Sequence, residues 1–151
     1  MTAIAVAERT VTAPLSVAYA QFVDYSRWDL WMPKNFRPVS GPARALQVGD
    51  TFKVAVGPSR FLTIDLEVVR VRTDKEICWR GGRAGFLAAE HSFLFTEASG
   101  ASGHTQVRSE ESLNGLLVSG PLASPVERVF AEGAAGILAG FAEHVVRIKA
   151  A

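Results

Sequence analysis

Hydrophobic and polar positions along this chain fall into three regimes. Residues 3–12 alternate loosely and carry β-branched Ile4, Val6, Thr10 and Val11, which predicts a first strand. The spacing then becomes helical, with Leu15, Ala18, Tyr19 and Phe22 on one face. Pro14 suits the first turn of that helix, where its missing N–H costs nothing. A second short helical piece, Tyr25 to Met32, carries Trp28 and Trp31 on one side, and Pro33 stops it. From about Arg37 to Leu117, turn residues separate short runs rich in Val, Ile, Phe and Thr. They fall at Gly41-Pro42, Gly49-Asp50, Gly57-Pro58, Thr73-Asp74, Gly81-Gly82 and Ser99 to Gly103. Six strands fit, at about 37–40, 51–56, 61–72, 76–81, 87–96 and 104–114, and their spacing predicts an antiparallel meander.

The third regime is a long helix. Ser124-Pro-Val-Glu127 has the form of a capping box, with Pro125 at the first helical position. Val126, Val129, Phe130, Gly133, Ala134, Ile137, Leu138, Phe141, Val145 and Ile148 hold a helical period to the end. Arg147 and Lys149 complement the helix dipole in the last turn. Twenty-five residues at ~1.5 Å each make a rod of roughly 37 Å, which must lie along the sheet. Gly133, Gly136 and Gly140 cost this helix up to ~1 kcal/mol each relative to alanine. Either helix and sheet backbones approach closely there, or the thinned helix leaves room for a ligand.

The segment from Trp79 to Phe95 carries the most functional information. It reads as two strands around a glycine-rich turn, the second alternating so that His91, Phe93 and Phe95 share one face. On the last strand Thr105, Val107, Ser109, Glu111 and Leu113 share a face. A hairpin turning near Ser99 to Gly103 sets His91 opposite Ser109 and diagonal to Glu111, and a similar count places Trp79 near His91. These four residues form a polar spot on an apolar concave wall, provided the register holds.

Composition narrows the function classes. The chain has 151 residues, enough for one domain spanning 1–151 with a real core. Sixteen basic against fifteen acidic side chains give a net charge of +1, which does not support nucleic-acid binding. The single cysteine, Cys78, excludes an internal disulfide and a multi-cysteine metal site, and reads as a small side chain packed in a strand. The amino end lacks the basic and apolar regions of a signal peptide, and no apolar run approaches the ~20 residues needed to span a bilayer. A cytoplasmic protein without stable membrane insertion is the expectation.

Familiar catalytic signatures are absent: no His-Glu-x-x-His, no Gly-x-Ser-x-Gly, no phosphate loop and no dinucleotide fingerprint. Gly81, Gly82 and Gly85 are assigned to a hairpin. His104, in a Gly/Ser-rich loop, and His144, near the end of the last helix, are expected to face solvent with no metal-ligand spacing. Trp28 and Trp31 are expected to plug one end of the core, and Asp65 and Glu67 to lie on the outer face of their strand. Arg80 and Arg83 are candidates for a cavity mouth.

Strand, two helices, six antiparallel strands and a long last helix form the order of the helix-grip fold. The chain resembles the START-like superfamily, in its polyketide cyclase/dehydrase and lipid-transport branch, often called SRPBCC. The resembling residues are Pro14, Phe22-Val-Asp24, Trp28, Trp31-Met-Pro33, Gly49-Asp-Thr-Phe52, Ile77-Cys-Trp79, Gly85-Phe-Leu87, Glu90-His-Ser-Phe93 and Thr105 to Gly115 with Glu111. The resemblance implies an α+β fold with a curved seven-stranded antiparallel sheet gripping the last helix, and an apolar cavity between them. It implies no invariant catalytic set, and no cofactor is expected.

Three functions are then open. The first is binding of a small hydrophobic or amphipathic molecule in a cavity lined by Trp79, His91, Phe93, Phe95, Ser109, Phe130, Ala134 and Leu138. The second is a cyclase- or dehydratase-like enzyme using His91 and Glu111 as an acid–base pair. The third is a stress-response or interaction module whose interior Phe93, Phe95, Phe130 and Phe141 fill. Either a monomer or a homodimer through an exposed sheet edge is compatible with the sequence.

Overall fold

A computed structural model describes residues 2–57, 62–83, 85–100 and 103–150. Pro58, Phe61, the tip of the Ser99 to Gly103 turn and the side chains of Arg83 and Lys149 lie outside the described residues. Strand β1 (Thr2–Val11) is followed by helix α1 (Leu15–Val23), a 3-10 turn (Tyr25–Arg27) and the single-turn helix α2 (Trp28–Trp31). Strands β2 (Phe36–Ser40), β3 (Thr51–Val56), β4 (Leu62–Arg72), β5 (Glu76–Arg83), β6 (Leu87–Glu97) and β7 (Thr105–Asn114) come next. Two further 3-10 turns, Leu116–Val118 and Gly120–Leu122, lead into α3 (Ala123–Ala150). The seven strands form one antiparallel sheet in the order β1-β7-β6-β5-β4-β3-β2. With α3 held against it and α1–α2 after β1, this is the expected helix-grip architecture.

The alternation of side chains becomes an alternation of burial. Along β7, Thr105, Val107, Ser109, Glu111 and Leu113 are buried, while the residues between them are half-buried or exposed. Along β6, His91, Phe93 and Phe95 are buried in the same rhythm. The pairings run Ala5–Glu111–His91–Trp79–Val68 across five strands, so these residues share the inner face. Asp65 and Glu67 point outward as expected, and pair with Lys53 and Arg80 at 2.7 and 3.1 Å.

Aromatic rings fill the space beneath the sheet. Phe22, fully buried, meets Phe93 at 4.6 Å, Phe141 at 5.1 Å, Trp31 at 5.3 Å and Phe95 at 5.4 Å between ring centroids. Trp28 lies equally deep, 5.4 Å from Trp79, and its indole N–H donates to the Phe22 carbonyl at 2.8 Å. The two tryptophans therefore belong to the central core rather than capping one end of it.

Helix α3 differs from expectation in its start and in its glycines. Ser124 lies inside the helix instead of capping it, because the Gly120–Leu122 turn runs directly into Ala123, whose N–H bonds to the Gly120 carbonyl. Pro125 remains in the first turn, where no donor is needed. Gly140 approaches α2 rather than the sheet: a Cβ there would lie 2.3 Å from the Trp31 carbonyl oxygen. Gly136 faces only Pro33, at 3.7 Å, and a Cβ on Gly133 would meet nothing within 4 Å. Burial is uneven too. From Ala123 to Gly133 no described residue is buried, whereas Ala134, Ile137, Leu138, Phe141, His144 and Val145 form a buried stripe. By length and composition alone Ala123–Ile148 could cross a membrane. Glu132 and Glu143 interrupt the run, but its small and aliphatic residues keep the average apolar.

Candidate functional site

Three neighbouring inner-face rows bring Trp79, His91, Phe93, Ser109 and Glu111 together. His91 pairs with Glu111 directly across β6 and β7, and Phe93 pairs with Ser109. The expected pairing of His91 with Ser109 is therefore off by two residues. The connection runs from 98 to 104 and is centred on 101, as a turn over 99–103 also is, and that centre sets 91 opposite 111 rather than 109. A slip of two preserves the face, and every named side chain still points inward. Trp79 pairs with His91 as expected.

The polar contacts make a short chain. His91 Nε2 lies 2.6 Å from Ser109 Oγ, and His91 Nδ1 lies 3.4 Å from Glu111 Oε2. With Nδ1–H facing the carboxyl group, Nε2 is left to accept the Ser109 O–H. The carboxyl group thus selects the tautomer that keeps the hydroxyl bond. All three residues are buried, Ser109 completely. Phe93 stacks on the imidazole at 4.3 Å and 25°, and Trp79 sits 5.6 Å away. Such a chain could hold a ligand's polar group or move a proton along Ser109, His91 and Glu111.

The remaining expected wall residues divide. Ala134 and Leu138 are buried on α3 and Phe95 on β6, whereas Phe130 is half-buried, on the uncovered first part of the helix. Two concavities stand out in the described structure, and neither lies beside His91. The larger, about 540 Å³, is on the outer face over Glu67, Arg80, Glu90 and Ser112, so Arg80 lines an outer groove and not an inner mouth. The smaller, about 220 Å³, lies between α1 and α3. Around His91 the interior is occupied by rings.

Three other groups behave differently from the sequence reading or add to it. Cys78 is fully buried on the outer side of β5 beneath Arg70, and burial raises its thiol pKa, as fits a packed and unreactive side chain. His104 is half-buried in the β6–β7 turn. His144, expected in solvent, is 3% exposed and stacked 6.3 Å from Trp31. The spacing held the signal: His144 follows Phe141 by three residues and precedes Ile148 by four, inside the apolar stripe.

Burial, and then the positive charges of Arg147 and Arg27, lower the pKa of His144. The native state therefore keeps this imidazole neutral, while the unfolded chain takes up a proton below about 6.5. Stability is full above that pH and falls as pH drops toward the lowered native value. Urea unfolding at pH 7.5 and 5.5 should show the loss, and His144→Phe should flatten this part of the slope. An equal slope in both proteins would assign the effect elsewhere.

No protein-family model matches the sequence, and no curated protein matches it by sequence. Solved structures do match in fold. One is a point mutant of Thalictrum norcoclaurine synthase in complex with a transition-state analogue, with a TM-score of 0.76 at 12% identity over 99% of this chain and 97% of that one. A START superfamily protein from Mycobacterium smegmatis gives 0.72 at 14% identity, over 96% and 98%. The di-domain ARO/CYC StfQ from the steffimycin biosynthetic pathway gives 0.76 at 13% identity, over all of this chain and 53% of that one. The fold is START-like, as the sequence resemblance implied.

Proposed function

We propose that the protein binds a small hydrophobic or amphipathic molecule between the inner face of the sheet and α3, with the ligand's polar group at His91. The observation that carries this reading is the buried Ser109–His91–Glu111 chain on a wall otherwise made of rings and aliphatic groups. An apolar core would be simpler to pack without three polar side chains, so their presence favours recognition. The fold neighbours include a synthase holding a transition-state analogue and an aromatase/cyclase, which supports a fold suited to such ligands. Because rings occupy the interior, the ligand needs room made for it. The first eleven residues of α3, none of them buried, are the part that can give way at least cost.

The same chain favours a second reading, acid–base catalysis on the bound molecule. Glu111 would orient His91, and Nε2 would take a proton from an enolisable carbon or return one to a leaving hydroxyl. Two variants separate the readings. His91→Phe removes the polar contact and should weaken binding about tenfold, the worth of one buried hydrogen bond. His91→Gln should spare binding but abolish turnover if the imidazole moves a proton.

Native mass spectrometry of protein purified without added ligand tests the binding reading first. A retained small molecule, released on denaturation and lost in His91→Phe, is the expected result. Protein that is empty by this measure and shows no saturable binding of anilinonaphthalene sulfonate would overturn it in favour of a filled, ligand-free module.

A further inference from the structure

Among the described residues three buried side-chain polar atoms lack a hydrogen-bond partner, namely Gln21 Oε1, Trp31 Nε1 and His144 Nε2. They come from α1, α2 and α3, and those helices meet at one junction. Trp31 reaches His144 at 6.3 Å and Phe141 at 5.0 Å between ring centroids. Gln21 is placed by helix register. Phe22 touches Phe141, and Val17 faces Val145 and Ile148 across the slot, so α1 and α3 run antiparallel. Between those two fixed points lie Gln21 on α1 and His144 on α3, one turn inward from Val17 and Ile148.

Buried polar atoms are nearly always partnered, and an orphan bears its full desolvation cost. Elsewhere this protein meets that demand: the Trp28 indole donates to the Phe22 carbonyl, and the Tyr25 hydroxyl to the carbonyls of Ser40 and Lys53. Three orphans at one junction therefore mark a place for an additional polar group. The 220 Å³ slot between α1 and α3 is lined by Thr12, Ala13, Pro14, Val17, Val145 and Ile148, almost wholly apolar, and by helix register its Val17 and Ile148 stand one turn from Gln21 and His144.

The atoms also specify the group. An indole N–H only donates, an amide oxygen only accepts, and imidazole Nε2 does either according to tautomer. A hydroxyl satisfies the set when His144 carries its proton on Nε2: its oxygen accepts from Trp31 and His144, and its proton goes to the Gln21 amide oxygen. A carboxylate has no proton to give and leaves the amide oxygen unpaired. At roughly 30 Å³ per non-hydrogen atom, taking water as the measure, the slot holds about seven such atoms.

The geometry points to a second ligand site between α1 and α3 that takes a small aliphatic alcohol, its chain in the slot and its hydroxyl at the Gln21–Trp31–His144 junction. The sheet and His91 contribute nothing to it, so it stands apart from the function proposed above.

The indole N–H resonances of Trp28, Trp31 and Trp79 in a 1H–15N spectrum provide the test, with Trp31→Phe assigning the one that matters. Titration with 1-hexanol should shift the Trp31 signal saturably, with a Kd of about 1 mM for a ligand of this size. Hexanoate should bind at least about tenfold more weakly. Val17→Trp, a change at a half-exposed position, should fill the slot and raise the hexanol Kd about tenfold or more. Ile148→Trp repeats the block from the other helix should the first variant fail to fold. A linear drift of all three indoles, or unchanged binding in a folded slot variant, would overturn the site and leave a buried water at the junction.

Discussion

Phe22→Ala should lower the unfolding free energy by about 3–5 kcal/mol, the largest single loss expected from any side chain in this protein. Phe22 is fully buried, and its ring meets four other aromatic rings from α2, β6 and α3. Truncation removes the transfer energy of the ring and opens a void between elements that cannot easily collapse, because each is fixed elsewhere. α1 is tied by the Tyr19 hydroxyl to the Glu76 carbonyl, and β7 by the Thr105 hydroxyl to the Ala13 carbonyl. For a chain of this length the loss corresponds to a fall in Tm of about 6–20 °C. Thermal and urea unfolding followed by near-ultraviolet circular dichroism would measure it. A loss below about 1 kcal/mol would mean that the rings do not form a rigid core.

That prediction rests on residues whose inward direction was readable beforehand. Strand periodicity assigned His91, Phe93, Phe95, Ser109 and Glu111 to a buried face, and helical periodicity assigned Phe22, Leu138 and Phe141 to another. Parity along a strand is robust, since an error of two residues returns the same face. Register is not: the facing partner of His91 depends on the exact centre of the β6–β7 turn, and a centre at 100 instead of 101 exchanges Glu111 for Ser109. The start of α3 was obscured for a similar reason. Ser124 and Glu127 have the right spacing for a box, yet the preceding 3-10 turns supply the first bond from backbone alone. His144 was misplaced because polarity outweighed position. The imidazole occupies an apolar stripe, and the structure buries it.

The polar chain at His91 was legible as an association but not as an enclosure. Sequence pattern shows that three polar groups share a wall with phenylalanines; it does not show whether that wall borders a hollow. Here Phe93 covers the imidazole and the tryptophans fill the centre, so the site is closed. The ligand reading therefore depends on the least buried part of α3 yielding. The catalytic reading depends additionally on Nε2 becoming accessible once it does.

The glycines of α3 supply the second large effect, as an opposition within one helix. Gly140→Ala should destabilise the fold by about 1–3 kcal/mol, because its Cβ would stand 2.3 Å from the Trp31 carbonyl oxygen, a backbone atom that cannot rotate away. Relief requires α3 to move off α2, which would also disturb the Trp31–Phe141 and Trp31–His144 contacts. Gly133→Ala meets nothing within 4 Å and should stabilise the helix by up to about 1 kcal/mol through propensity alone. The same substitution seven residues apart thus differs in sign, and the two variants should separate by about 1–4 kcal/mol in urea unfolding. Equal effects would show that α3 rides further from α2 than the carbonyl contact indicates. A ligand held under α3 sharpens the contrast. Gly140→Ala acts where the helix is pinned, whereas Gly133→Ala stiffens the part that has to yield, so the latter should slow ligand uptake while raising stability.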